Sequence, residues 1–167
     1  LIRHDTPHMR RTRPVWLENT HNRGGGKILP YEVVAAICAW AKSKGLARHL
    51  DGARLLNAAV ASGIPAAQWA GHFDTASICF SKGLGAPVGS AIAGPRDLIR
   101  DALRVRKVLG GGMRQAGVLA AAAIYALDHH VDRLAEDHAN CRRLADGIRA
   151  IPGLRLVAEQ FDTNLLF

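Results

Sequence analysis

Thr75-Ala76-Ser77-Ile78-Cys79-Phe80-Ser81-Lys82-Gly83-Leu84-Gly85 is an apolar run of strand length that ends in a lysine between a serine and two glycines. A strand with this ending presents one amine at its C-terminal end, where open α/β sheets bind their ligands. Leu46-Ala47-Arg48-His49-Leu50 ends in the same manner, in Asp51-Gly52-Ala53-Arg54. Two strand ends therefore offer a carboxylate and an amine, with an arginine three residues past the carboxylate. Such a set suits pyridoxal phosphate, Lys82 for the aldehyde carbon and Asp51 for the ring nitrogen. Read on position alone, Lys82 is equally a solvated loop lysine, and Asp51 a turn residue before glycine.

Outward from these two points, strand and helix patterns alternate. Val15-Trp16-Leu17 reads as a short buried strand, followed by a loop from Asn19 to Gly26. Pro30 opens a helix to about Lys44, with Val33, Ile37, Trp40, Ala41 and Lys44 at helical spacing and Gly45 as the stop. A helix over Ala53–Ser62 follows the Asp51 strand. Val88–Ala93 reads as another strand, Pro95–Val108 as a basic helix, and Met113–Leu127 as a helix rich in small residues. Val131, Leu134, His138, Cys141, Ala145 and Ile148 mark one face of a last long helix, and strands are expected near Leu154–Ala158 and Thr163–Phe167. The alternation predicts an α/β fold, a mainly parallel sheet with helices on both faces. Residues 1–128 are expected to be the central and C-terminal part of a large domain; from about 129 the pattern changes to a long amphipathic helix and then strands, which resembles the start of a smaller α+β C-terminal domain at 129–167.

Composition narrows the class. The chain has 167 residues, 49% hydrophobic and 22% charged, the balance of an ordinary globular domain. No apolar run approaches the roughly 20 residues of a membrane span. Arg3, Arg10, Arg11 and Arg13 are followed by no apolar signal region. The net charge is +8, yet aromatics are only 5%, with no interleaving for base stacking. A small-molecule partner is expected, not a nucleic acid or a membrane, with a basic binding module as the competing class. Cys38, Cys79 and Cys141 form no Cys-x-x-Cys and read as small buried hydrophobes of a reducing, cytoplasmic compartment. His49-x-Asp51 has metal-ligand spacing, but no further cluster completes a site, so no metal is expected.

Four blocks carry a resemblance. Leu17-Glu18-Asn19-Thr20-His21-Asn22, His49-Leu50-Asp51-Gly52-Ala53-Arg54-Leu55-Leu56-Asn57-Ala58, Ser81-Lys82-Gly83-Leu84-Gly85-Ala86-Pro87-Val88-Gly89-Ser90 and Arg106-Lys107-Val108-Leu109-Gly110-Gly111-Gly112-Met113-Arg114-Gln115 resemble the low-specificity L-threonine aldolases of the β-eliminating lyase superfamily. Their order and spacing match over about residues 15–140. The resemblance implies the aspartate-aminotransferase-like large domain, bound pyridoxal 5'-phosphate, and reversible cleavage of L-threonine or L-allo-threonine to glycine and acetaldehyde, with another lyase or a transaminase on the same scaffold as the alternative. It implies Lys82 as the residue that binds the cofactor and Asp51 as the electron-sink partner. Arg54 would face the cofactor and lie near the substrate carboxylate, and Arg114 would lie at the cofactor phosphate, in some members across a subunit interface. His49 is a candidate substrate neighbour or a satisfied core histidine. A homodimer or homotetramer is implied. The family's ring-stacking histidine and Gly/Thr phosphate loop would precede residue 1, and a further carboxylate-binding arginine would follow residue 167. The chain alone is therefore expected to be inactive.

Overall fold

A computed structural model of the chain describes residues 2–3 and 6–167. Four strands form one sheet in the order β1-β2-β3-β4: β1 (Pro14–Glu18), β2 (Ala47–Asp51), β3 (Thr75–Cys79) and β4 (Ser90–Ala93). β1, β2 and β3 run parallel, and β4 returns antiparallel beside β3. The helices are α1 (Tyr31–Ser43), α2 (Leu55–Ser62), α3 (Ala66–Ala70), α4 (Arg96–Val108), α5 (Gly117–His129) and α6 (Leu134–Arg149). The expected α/β class and mainly parallel pairing hold. The short helix α3 is an addition to the expected elements.

Registers set the two faces of the sheet. Leu50 and Ala76 pair across β2 and β3 and point to the side covered by Val34 and Cys38 of α1, Leu55 of α2 and Trp69 of α3. Trp16, His49 and Thr75 form a row on the opposite face, and Glu18, Asp51 and Ser77 the next row, one pleat nearer the strand ends. That opposite face is open in this chain: Trp16 remains 63% exposed. Helices α1, α2 and α3 cover the Leu50 side.

The buried stripe of α1 differs by one position from the expected one. Val34, Cys38 and Ala41 are buried, whereas Val33 and Trp40 are exposed. Both rows have helical spacing, so periodicity alone does not choose between them. The smaller row lets the helix approach the sheet closely. Gly45 ends the helix as expected: its N–H donates to Lys42 and that of Leu46 to Ala41, the two bonds of a Schellman stop.

Arg48 fixes the stagger of β2 against β3. Its backbone N–H donates to Asp74 Oδ2 at 2.8 Å, and its guanidinium clasps both oxygens of the same carboxylate. The Arg48 bonds hold the Asp74 carboxyl below its ordinary range.

Among the described residues, 150–167 contain no strand, which corrects the expected strands at Leu154–Ala158 and Thr163–Phe167. Side chains take up the bonding there. Asp162 accepts from Lys27 Nζ at 2.9 Å and from the Ile28 N–H at 3.0 Å, and the buried Thr163 hydroxyl donates to the Gly26 carbonyl at 2.7 Å. Gly24-Gly25-Gly26, at the end of the expected Asn19–Gly26 loop, is thus a turn covered by this segment. Gly26 sits at φ +70°, and a Cβ there would lie 2.5 Å from Thr163 Oγ1. Gly63 has the same φ with nothing within 4 Å. Gly63→Ala is expected to cost about 1–2 kcal/mol from the left-handed backbone alone. Gly26→Ala should cost more, through the lost Thr163 bond, by about 1–3 kcal/mol. Denaturant midpoints of the two variants check this; equal losses would show that the Thr163 contact does not stabilise the turn.

Candidate active site

The C-terminal ends of the three parallel strands lie side by side, because parallel strands joined by helices all finish at one end of the sheet. Asp51 is the last residue of β2, between Glu18 and Ser77 in register. Its Oδ1 accepts the Ala53 N–H at 3.2 Å, an Asx turn that aims the chain into α2. α2 starts two residues later than expected, at Leu55, so Arg54 stands at its N-cap position rather than inside the helix. The Arg54 Nη1 donates to Asn22 Oδ1 at 3.1 Å, and its Nε is buried with no hydrogen-bond partner. Arg54 pairs with an amide from the β1 loop, not with Asp51.

Lys82 lies three residues beyond β3, in a loop closed at its base by Phe80 N–H to Gly89 O at 2.9 Å and Ala86 N–H to Phe80 O at 3.0 Å. Leu84 and Ala86 anchor this loop in a second core with Ala126 of α5, Leu134 of α6, and Leu56 and Val60 of α2. His130 Nδ1 holds the Leu84 carbonyl at 2.6 Å. Lys82 itself is exposed, and among the described residues no ion pair or hydrogen bond engages its amine. A narrow crevice of about 10 Å³ lies where the two strand ends meet, lined by Cys79, Lys82 and Gly83 and by Gly52, Arg54 and Asn57; Asp51 lies outside its lining.

His49 stands one pleat behind Asp51 on the same face. Its Nδ1 lies 2.7 Å from Thr75 Oγ1, and its ring meets Trp16 edge-on at 4.6 Å. Burial pushes its imidazole below the usual value, the Asp51 charge opposing only in part. His49 is therefore a neutral ring wedged beneath Asp51. Arg114 differs from expectation: it precedes α5 by three residues instead of opening it, because Gln115 takes a positive φ of 52°. It is exposed and does not line the Lys82 crevice.

Glu18, His21 and Asn22 belong to a matching block, but nothing in the sequence alone assigns them a role. The structure gathers them at the site's rim. Glu18 Oε1 accepts the Asn22 N–H at 3.0 Å, and Glu18 Oε2 lies 3.7 Å from His21 Nε2. Glu-x-x-His beginning at the last residue of a strand is the available signal; its meaning depends on Asn22 meeting Arg54 from 32 residues away.

Amine, carboxylate and arginine on neighbouring strand ends of such a sheet define a class of cofactor-dependent α/β enzymes. The chain belongs to the beta-eliminating lyase family, whose model matches residues 1–167. It is 47% identical to the low specificity L-threonine aldolase of Escherichia coli over 166 residues, 99% of this chain and 48% of that protein. Low-specificity L-threonine aldolase 1 of Arabidopsis thaliana is 45% identical over 156 residues, 93% of this chain and 44% of that protein. The structure of a threonine aldolase from Leishmania major superposes with a TM-score of 0.82 at 26% identity, covering 97% of this chain and 47% of that one. The chain thus spans about half the length of the relatives it matches.

Proposed function

We propose that this chain supplies the amine, carboxylate and arginine of a pyridoxal 5'-phosphate site that cleaves L-threonine or L-allo-threonine into glycine and acetaldehyde. The carrying observation is that Lys82 and Arg54 meet at one crevice beside the β2 strand end that carries Asp51. The similarity to L-threonine aldolases over nearly the whole chain supports the substrate class. The residues fit the cofactor: an amine that no described residue engages, a strand-end carboxylate with one backbone bond, and a guanidinium with an unpartnered buried Nε. When bound, pyridoxal phosphate supplies an electron sink for the pair left on Cα after Cα–Cβ cleavage.

Lys82 would hold the cofactor's aldehyde carbon. Asp51 would hold the ring nitrogen's proton, its charge facing the cationic ring, with neutral His49 packed behind it. Arg54 would bind the substrate carboxylate with its free donors while Asn22 fixes the guanidinium plane. His21 is the imidazole of the same rim, and we assign its Nδ1 to take the β-hydroxyl proton, with Glu18 facing Nε2 and orienting the ring. Arg114 would reach the cofactor phosphate from a second copy of the chain, as a homodimer or homotetramer allows. Exposed Val118, Ile124 and Tyr125 on α5 give such an assembly an apolar face to cover. The division at residues 128 and 129 into large and small domains belongs to the same reading. No helix among the described residues is long and apolar enough to cross a membrane.

The test is acetaldehyde release from L-allo-threonine by the native-length protein with pyridoxal phosphate. Turnover is expected, with L-threonine also accepted. Products of elimination or transamination from a panel of amino acids, without acetaldehyde, would replace this reading by another reaction on the same scaffold.

A further inference from the structure

Asn57 and His138 are a buried polar pair that nothing in the proposed chemistry uses. Each is only 3% exposed. Asn57 belongs to α2, which Arg54 heads, and His138 to α6; Asn57 Nδ2 lies 3.1 Å from His138 Nε2 across the helix contact. The Lys82 loop rests on the same spot. A Cβ at Gly83 would meet Leu134 Cδ2 at 2.6 Å, Asp137 Oδ2 at 3.1 Å and Asn57 Nδ2 at 3.8 Å. Gly83 is thus seated directly on the α2–α6 junction, and the residue before it is Lys82.

We propose that Asn57 and His138 are positioning residues that lock the Lys82 loop to the helix headed by Arg54, and that the lock requires the neutral His138 ring. This rests on the roles read above for Lys82 and Arg54. An amide nitrogen only donates, so His138 Nε2 must accept, which places the ring proton on Nδ1. Protonation turns Nε2 into a second donor facing the Asn57 amide, in a site too buried for water to substitute. Asp137 and Arg142 of α6 are the charged groups acting on the ring, and Asn57 faces it from α2; Gly83 of the loop, which is uncharged, touches Asn57 and Asp137. Burial and Arg142 together hold the imidazole below its usual value, against Asp137. The sign follows: the pair's contribution is complete above the unfolded value near 6.5 and is lost as pH falls through the lower folded value.

Hydrogen exchange of the Gly83–Gly85 amides, corrected for intrinsic rates, tests this in the native-length protein without requiring cofactor. On acidification from about pH 8 through the folded value of His138, with the protein still folded, their protection should fall about tenfold, the equivalent of one lost buried hydrogen bond. His138→Gln keeps an acceptor that does not titrate, and its loop should show no such fall. Asn57→Asp should invert the dependence, because its carboxylate pairs with the protonated ring at low pH. Loop protection indifferent to pH in the wild type would overturn the proposal. So would a His138→Gln profile that falls like the wild type. With cofactor added, the acid limb of kcat should move to lower pH in His138→Gln while KM stays near the wild-type value. Borohydride labelling separates the two readings: labelled Lys82 without the exchange pattern refutes the lock alone. The exchange pattern without any label refutes the cofactor site and leaves the lock between loop and helix standing.

Discussion

Borohydride reduction of the pyridoxal-phosphate-loaded, native-length protein is expected to fix the label on Lys82, and Lys82→Ala to reduce turnover by about 10³-fold or more. That loss corresponds to at least about 4 kcal/mol of barrier. The structure separates Lys82 from the other amines. Lys27 is tied to Asp162, Lys42 lies on α1 with Lys44 at its C-cap, and Lys107 lies on α4. Lys82 stands in the crevice beside Arg54 with its amine unengaged. The loop's anchor through Leu84 and Ala86 does not involve the lysine side chain, so Lys82→Ala should unfold at the wild-type midpoint. A labelled peptide containing Lys27, Lys42, Lys44 or Lys107 would sink the assignment, as would a Lys82→Ala enzyme with substantial turnover.

Asp51→Asn should leave the fold intact and remove most of the rate. Asparagine retains an oxygen for the Ala53 N–H, so the turn into α2 survives. Only the charge is removed. Opposite unit charges about 4 Å apart interact by roughly 4 kcal/mol at an effective dielectric near 20. If that stabilisation appears in the transition state, its loss lowers kcat by about 10³-fold. Kinetics paired with a cofactor absorbance spectrum decide the matter. Near-normal threonine cleavage with bound cofactor would show that Asp51 does not hold the ring proton.

Local chemistry makes Asp51 and Lys82 legible in the sequence itself. A strand pattern running into Asp-Gly or Lys-Gly determines where the side chain falls, because parallel strands all finish at the same end of the sheet. The Schellman stop at Gly45 is equally local: a left-handed residue is needed there, and glycine takes that conformation without steric cost. The four sequence blocks carry the family.

What the sequence leaves open depends on distant partners. Whether Val33 or Val34 faces the core of α1 turns on which row fits the sheet, since both rows have the same period. The last residues have strand composition, but a strand needs a neighbour's backbone, and Asp162 and Thr163 bind Lys27, Ile28 and Gly26 through side chains instead. Arg114 is displaced from its helix by the backbone turn at Gln115. The contacts of Asn22 and Asn57 are with Arg54 and His138, 32 and 81 residues away. The sequence by itself determined the strand ends and the chemical groups on them. The tertiary structure decided which loops and helices hold those groups in place, because such contacts depend on distances between segments that no local pattern encodes.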